Sequence, residues 1–227
     1  MEKRVPSIGE SLSALARVTF TRLFRGKLMW FALAIAFLPL FLSVAGQTRV
    51  EVVFGIEMFV LAILPPLFAA PAIAEELEDK TATYLWSRPI ARWAILAGKL
   101  LALVPFVMAL VTAGWVVGVL VATKAPPPPM TIVAVLAGAF GTSIVASGIA
   151  MLAPKRGMAF AIVYILIVDI TLGSLPGSIE WLSVTHATRV LAGFEADTSP
   201  VAGVIGLLTL SAVWLAVAFR RIGRLET

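Results

Sequence analysis

Two carboxylates stand inside apolar stretches of this 227-residue chain, Glu57 and Asp169. A charge taken to the middle of a hydrocarbon layer costs at least about 2.5 kcal/mol, so such groups usually face a polar cavity or a partner. No lysine or arginine lies in those stretches at matching depth. The pair therefore marks either the edge of a headgroup layer or a polar path attracting cations or amines. Other reactive chemistry is sparse. There is no cysteine, which excludes disulfides, thiol catalysis and cysteine–metal sites. His186 is the single histidine, so a metal centre or a Ser-His-Asp triad would have to rest on that one loop residue. The expectation is instead a solvated loop histidine and no metal. No G-x-x-x-x-G-K-[ST] phosphate loop occurs, so the chain is expected to bind no nucleotide cofactor and not to hydrolyse ATP by itself.

The elements that must position these residues follow from composition. Apolar residues make up 60% of the chain and charged residues 14%, with a mean hydropathy of +0.99. Soluble domains are about 45–50% apolar and about 25% charged. Too little polar surface is left to coat a globule in water, and the bilayer is the solvent to reason from. The net charge of +5 is dispersed in short segments between apolar runs. No basic stripe with interleaved aromatics exists, so no nucleic-acid partner is expected.

Apolar runs occur at about 28–46, 52–74, 93–122, 131–152, 158–175 and 201–219. A spanning helix needs about 20 apolar residues at about 1.5 Å each, which predicts an all-α, polytopic protein with six transmembrane helices in one domain, 1–227. The third run is too long for one span, so Lys99 is expected at the interface with its amine snorkelling to water. Ahead of the first run, Leu12, Leu15, Ala16, Thr19, Phe20, Leu23 and Phe24 share one helical face, with Glu10, Arg17, Arg22 and Arg25 off it. That is the pattern of an amphipathic helix in the membrane interface, or of a cytoplasmic helix packed on a partner. Segment 1–27 is too long for an ordinary signal n-region, although Ser43-Val44-Ala45 resembles a small-residue cleavage site and keeps a cleaved signal open.

Orientation follows from lysine and arginine. One side of this arrangement carries fifteen, including Arg17, Lys80, Arg88, Arg92, Lys155 and Arg220, and the other only Arg49, Lys124 and Arg189. The richer side is the cytoplasm, which places both termini and segment 75–92 there. Outside, Pro126 to Pro129 predict a stiff spacer of about 12 Å. In segment 176–200, Ile179, Leu182, Val190, Leu191 and Phe194 recur at helical spacing, predicting a short amphipathic helix resting on the outer leaflet. Within the second run, Pro65, Pro66 and Pro71 deprive the carbonyls of Leu61, Ala62 and Leu67 of donors. The helix should be kinked or partly unwound there, either as a hinge or as a static bend. Gly114 and Gly118, and Ala139, Ser143 and Ser147, are expected to allow close helix packing.

Segment 75–92 carries the most information. It is acidic first (Glu75, Glu76, Glu78), then basic (Lys80, Arg88, Arg92), with Pro89 breaking it and Tyr84, Leu85 and Trp86 between. Aromatics beside charge on a loop point either to a docking surface for another protein or to contact with the membrane interface. Glu75-Glu76 ahead of Lys80 resembles intramembrane CAAX-type proteases only in the glutamates; the further histidines those need are missing. The segment is much more similar to the signature of ABC-2 type transporter permeases: acidic residues, a threonine, a leucine-rich turn, Pro-[Val/Ile]-x-Arg and a Gly-Lys entering the third helix. The matching positions are Glu76, Thr81, Leu85, Arg88, Pro89, Ile90, Arg92, Gly98 and Lys99. Lys80 departs from the glycine that commonly precedes the threonine.

This resemblance implies a permease half in the cytoplasmic (inner) membrane of a prokaryote, surrounded by membrane lipid. It would pair with a second permease chain, as homodimer or heterodimer, and receive a separate P-loop ATPase subunit that holds ATP and Mg. Glu75, Glu76, Glu78, Thr81, Tyr84, Leu85, Arg88, Pro89 and Arg92 would form the coupling helix seated on that ATPase, with export as the usual direction. Two other classes remain open: a carrier or channel driven by ion gradients, and a structural membrane scaffold.

Overall fold

The structure, a computed structural model, describes residues 8–26, 28–46, 49–78, 92–195 and 198–224. Their regular secondary structure is all helical, with no strand among the described residues. Helix α1 spans Ile8–Arg25, and the apolar face predicted for it divides. Thr19 is buried and Leu12, Leu15, Ala16 and Leu23 are partly covered, whereas Phe20 and Phe24 remain about half exposed. The covered side meets the long helix α5 (Arg92–Thr123).

The first apolar run is not one helix. It forms α2 (Leu28–Ala36) and α3 (Leu38–Val44), interrupted at Phe37. Pro39 has no N–H for the Ile35 carbonyl, which explains the break. The pair packs on α5 (Arg92–Thr123), and contact is close enough to demand glycine. A Cβ on Gly114 would lie 1.8 Å from the Ala36 carbonyl oxygen, and Ser43 Oγ donates to the Gly118 carbonyl at 3.0 Å.

Helices α4 (Val50–Glu78) and α6 (Pro129–Leu152) form the centre. The most apolar window of each is 72% buried, against 22% for α10 (Pro200–Arg224), which lies at the periphery. Among the described residues five stretches are long and apolar enough to cross a membrane: Val50–Ala72, Trp93–Thr123, Pro129–Leu152, Pro154–Ser174 and Pro200–Gly223. The fourth is composite. After α7 (Gly157–Val163) it widens into a π-helical segment, Tyr164–Asp169, before α8 (Ile170–Ser174). Between α5 and α6 the proline run is extended only as far as Pro128 (φ −56°, ψ 134°), and Pro129 already opens α6, a position where its missing N–H costs nothing.

The segment before α10 corrects the expectation of a helix lying on the outer leaflet. A 3-10 turn at Ser178–Leu182 leads into α9 (Val184–Ala192), and seven of the nine α9 residues are buried. The helix packs against α6 and α10. It fits because facing residues lack side chains: a Cβ on Gly138 would come within 2.9 Å of Thr188, and one on Gly203 within 2.7 Å of the Ala187 carbonyl oxygen.

Candidate functional site

The hairpin singled out by sequence has its base in view. Helix α4 runs on to Glu78 rather than ending near 74, so Glu75, Glu76 and Glu78 belong to its last turns, and α5 begins at Arg92. Thr81, Tyr84, Leu85, Arg88 and Pro89 lie outside the described residues. What joins the two limbs is Lys99. It was expected to snorkel outward, yet it is only 7% exposed and donates to the Ala72 carbonyl of α4. A carbonyl oxygen carries two lone pairs and can accept a second hydrogen bond beside its helical one, so burying the ammonium is offset by a charge-assisted contact. On the adjacent side, Gly98 brings α1 against α5: a Cβ there would sit 3.0 Å from Leu15 Cβ. Three helices are thus fixed to one another at the base of the hairpin.

Pro71 directly precedes Ala72 in α4, and Pro65 and Pro66 lie about two turns further along. The helix continues through Pro65, Pro66 and Pro71 without interruption, so of the two outcomes expected from sequence, a kink or partial unwinding, the unwinding does not occur. Pro65 and Pro66 are buried, as are Leu61, Ala62 and Leu67, so the carbonyls short of donors are enclosed by protein instead of lipid.

The two intramembrane carboxylates have opposite surroundings. Asp169 is 1% exposed and fully engaged. It accepts from the backbone N–H groups of Val184 (2.8 Å) and Thr185 (3.0 Å) and from the hydroxyls of Thr185 (2.6 Å) and Ser183 (3.1 Å). The two N–H groups are orphan donors of the first turn of α9, and a negative charge is favourable there. The π-helical segment that ends at Asp169 inserts a residue into the helical register and so alters which side of the helix Asp169 faces. Burial of Asp169 is thus explained by a helix cap reaching over from another helix.

Glu57 is 0% exposed, and both of its carboxylate oxygens lack a hydrogen-bond partner among the described residues. It stands seven residues into α4, about 10 Å from the helix start, on a face shared with buried Val53, Phe54, Val60 and Leu61. Enclosure by protein rules out the headgroup position for it. An unpaired buried carboxyl is costly, and a group of this kind needs a functional account.

His186 also corrects the sequence reading. It is 4% exposed on α9, with its ring edge-on to Trp181 at 5.1 Å and Nδ1 3.9 Å from Glu180 Oε2. No group of three or more His, Cys, Asp or Glu suited to a metal ion occurs among the described residues. Sequence reasoning did not single out Ser183 and Thr185, although a serine just before a helix is an N-cap signal; Ser183 does accept from the His186 N–H at 3.0 Å.

A family model described as ABC-2 family transporter protein matches residues 5–219. No curated protein matches the chain. The chain belongs to the ABC-2 transporter family, and it is a multi-pass membrane permease of an ABC transporter.

Proposed function

We propose that this ABC-2 permease works as an exporter subunit driven by a separate ATPase that docks on the 75–92 hairpin. The match over residues 5–219 carries the reading. The hairpin base supports it: Lys99 holds α4 and α5 together, so force applied to the loop would reach both helices. In this reading the α2–α3 pair completes a sixth crossing, α1 lies at the cytoplasmic interface, and both termini face the cytoplasm. Two permease chains and two ATPases form the working unit, with ATP and Mg on the ATPases. Glu75, Glu76, Glu78, Thr81, Tyr84, Leu85, Arg88, Pro89 and Arg92 make the ATPase contact, and Pro65, Pro66 and Pro71 are the hinge through which α4 bends.

Asp169 and Glu57 were both candidates for a substrate path. Asp169 already has a sufficient structural role, so the path proposal rests on Glu57, whose free oxygens suit a cationic or amine-bearing solute. The same carboxyl would suit a carrier driven by an ion gradient, which predicts transport that survives ATP depletion. Purification of the tagged chain in mild detergent separates the readings. A co-purifying P-loop ATPase, lost on changing Glu76, Tyr84 or Arg88 to alanine, supports the exporter. The absence of cysteine allows single-cysteine labelling. An impermeant maleimide should label Lys124→Cys but not Arg88→Cys in intact cells, and the reverse would overturn the orientation.

A further inference from the structure

We propose that the groove between α1 and α5 is a binding site for an anionic phospholipid. The groove has a volume of about 710 Å³, and among the described residues it is lined by apolar side chains except for one cation, Arg17. Its polarity runs in one direction. Helix α1 meets α5 with Leu15 at Gly98 and with Phe24 at Phe106, the latter rings 5.4 Å apart. Arg17 therefore lies toward the Arg92 end of α5, and Phe20 and Phe24 lie deeper along it, with Phe20 6.4 Å from Phe106.

A ligand matched to this arrangement has an anionic head and an apolar tail, in that order along the bundle axis. A guanidinium offers a planar fork of donors suited to phosphate oxygens. Deeper in the groove, Phe20, Phe24, Pro105, Phe106 and Ala109 offer only apolar surface, suited to an acyl chain. Leu101, which lines the groove, is 61% exposed within the apolar stretch Trp93–Thr123. A phospholipid of the surrounding leaflet is the amphiphile that can reach it sideways, and a basic surface in that layer selects anionic lipid.

The full-length chain, purified in mild detergent, is equilibrated with palmitoyl-oleoyl phosphatidylglycerol or with the phosphatidylcholine of the same chains, and retained lipid is counted by native mass spectrometry. Wild type should retain phosphatidylglycerol at least about tenfold over phosphatidylcholine, which offers the same phosphate but carries a choline cation that Arg17 disfavours; that ratio corresponds to about 1.4 kcal/mol. Arg17→Gln should bring that ratio near one while total retention persists. Ala109→Trp, which fills the groove from an exposed position, should remove both lipids, and Ala16→Phe fills it from the α1 side if that variant misfolds. A wild-type ratio in Arg17→Gln, undiminished retention in both filled variants, or self-association through α1 with no lipid retained would overturn the site.

Discussion

The Oδ1 atom of Asp169 accepts the backbone N–H of Val184 at 2.8 Å, so a residue inside one apolar stretch caps a helix that begins well downstream in the loop. Removing the carboxylate orphans two backbone N–H groups and two hydroxyls in a buried setting. Asp169→Ala should lower stability by about 3 kcal/mol, and Asp169→Asn, which keeps one acceptor oxygen, by about half as much. Unfolding in mixed detergent micelles monitored by tryptophan fluorescence measures both; equal, small losses would mean the cap contributes little.

Glu57 predicts the opposite sign. Replacing an unpaired buried carboxyl by leucine removes a desolvation cost, so Glu57→Leu should be neutral to about 2 kcal/mol more stable in the same assay. If the group serves a substrate path, ATP-driven transport by the assembled complex should nonetheless be lost. Retained transport would leave Glu57 outside the path.

Close packing at one glycine gives a sharp contrast. Gly114→Ala would put a methyl group 1.8 Å from the Ala36 carbonyl oxygen, forcing α2 away from α5 at a cost of about 1–3 kcal/mol. Gly55 has nothing within 4 Å of the same construction, so Gly55→Ala should stabilise α4 by about 0.5–1 kcal/mol through backbone entropy alone. Matching effects at the two positions would show that α2 does not approach α5 as described.

Lys99→Met deletes the link to Ala72 while keeping an unbranched apolar stem. Amide hydrogen exchange in Leu67–Glu78 should accelerate about tenfold or more, with α6 unchanged. An unaltered pattern would mean that packing alone holds the two limbs.

Much of this architecture was legible in the chain. Apolar runs of sufficient length mark the long helices, and the acidic-to-basic segment at 75–92 points to the family that the match over 5–219 establishes. The errors have physical sources. A helix with one apolar face looks the same in sequence whether that face meets a leaflet or a groove in protein. The groove that receives α9 is made by Gly138 and Gly203, residues distant in sequence that carry no pattern of their own. His186 followed α9 inside for the same reason. Lys99 was assigned to water because an ammonium is strongly hydrated, and its acceptor, a backbone carbonyl twenty-seven residues away, leaves no trace in residue types. The break at Phe37 is readable from Pro39, a residue that a count of apolar run length passes over.

The seating of α9 has a geometric outcome for traffic through the bundle. With seven of its nine residues enclosed, this segment is seated against α6 and α10 and is tethered to the fourth membrane-length stretch by Asp169. A solute would not pass along the line that α9 occupies, and the sparsely covered α10 leaves one flank of the chain open.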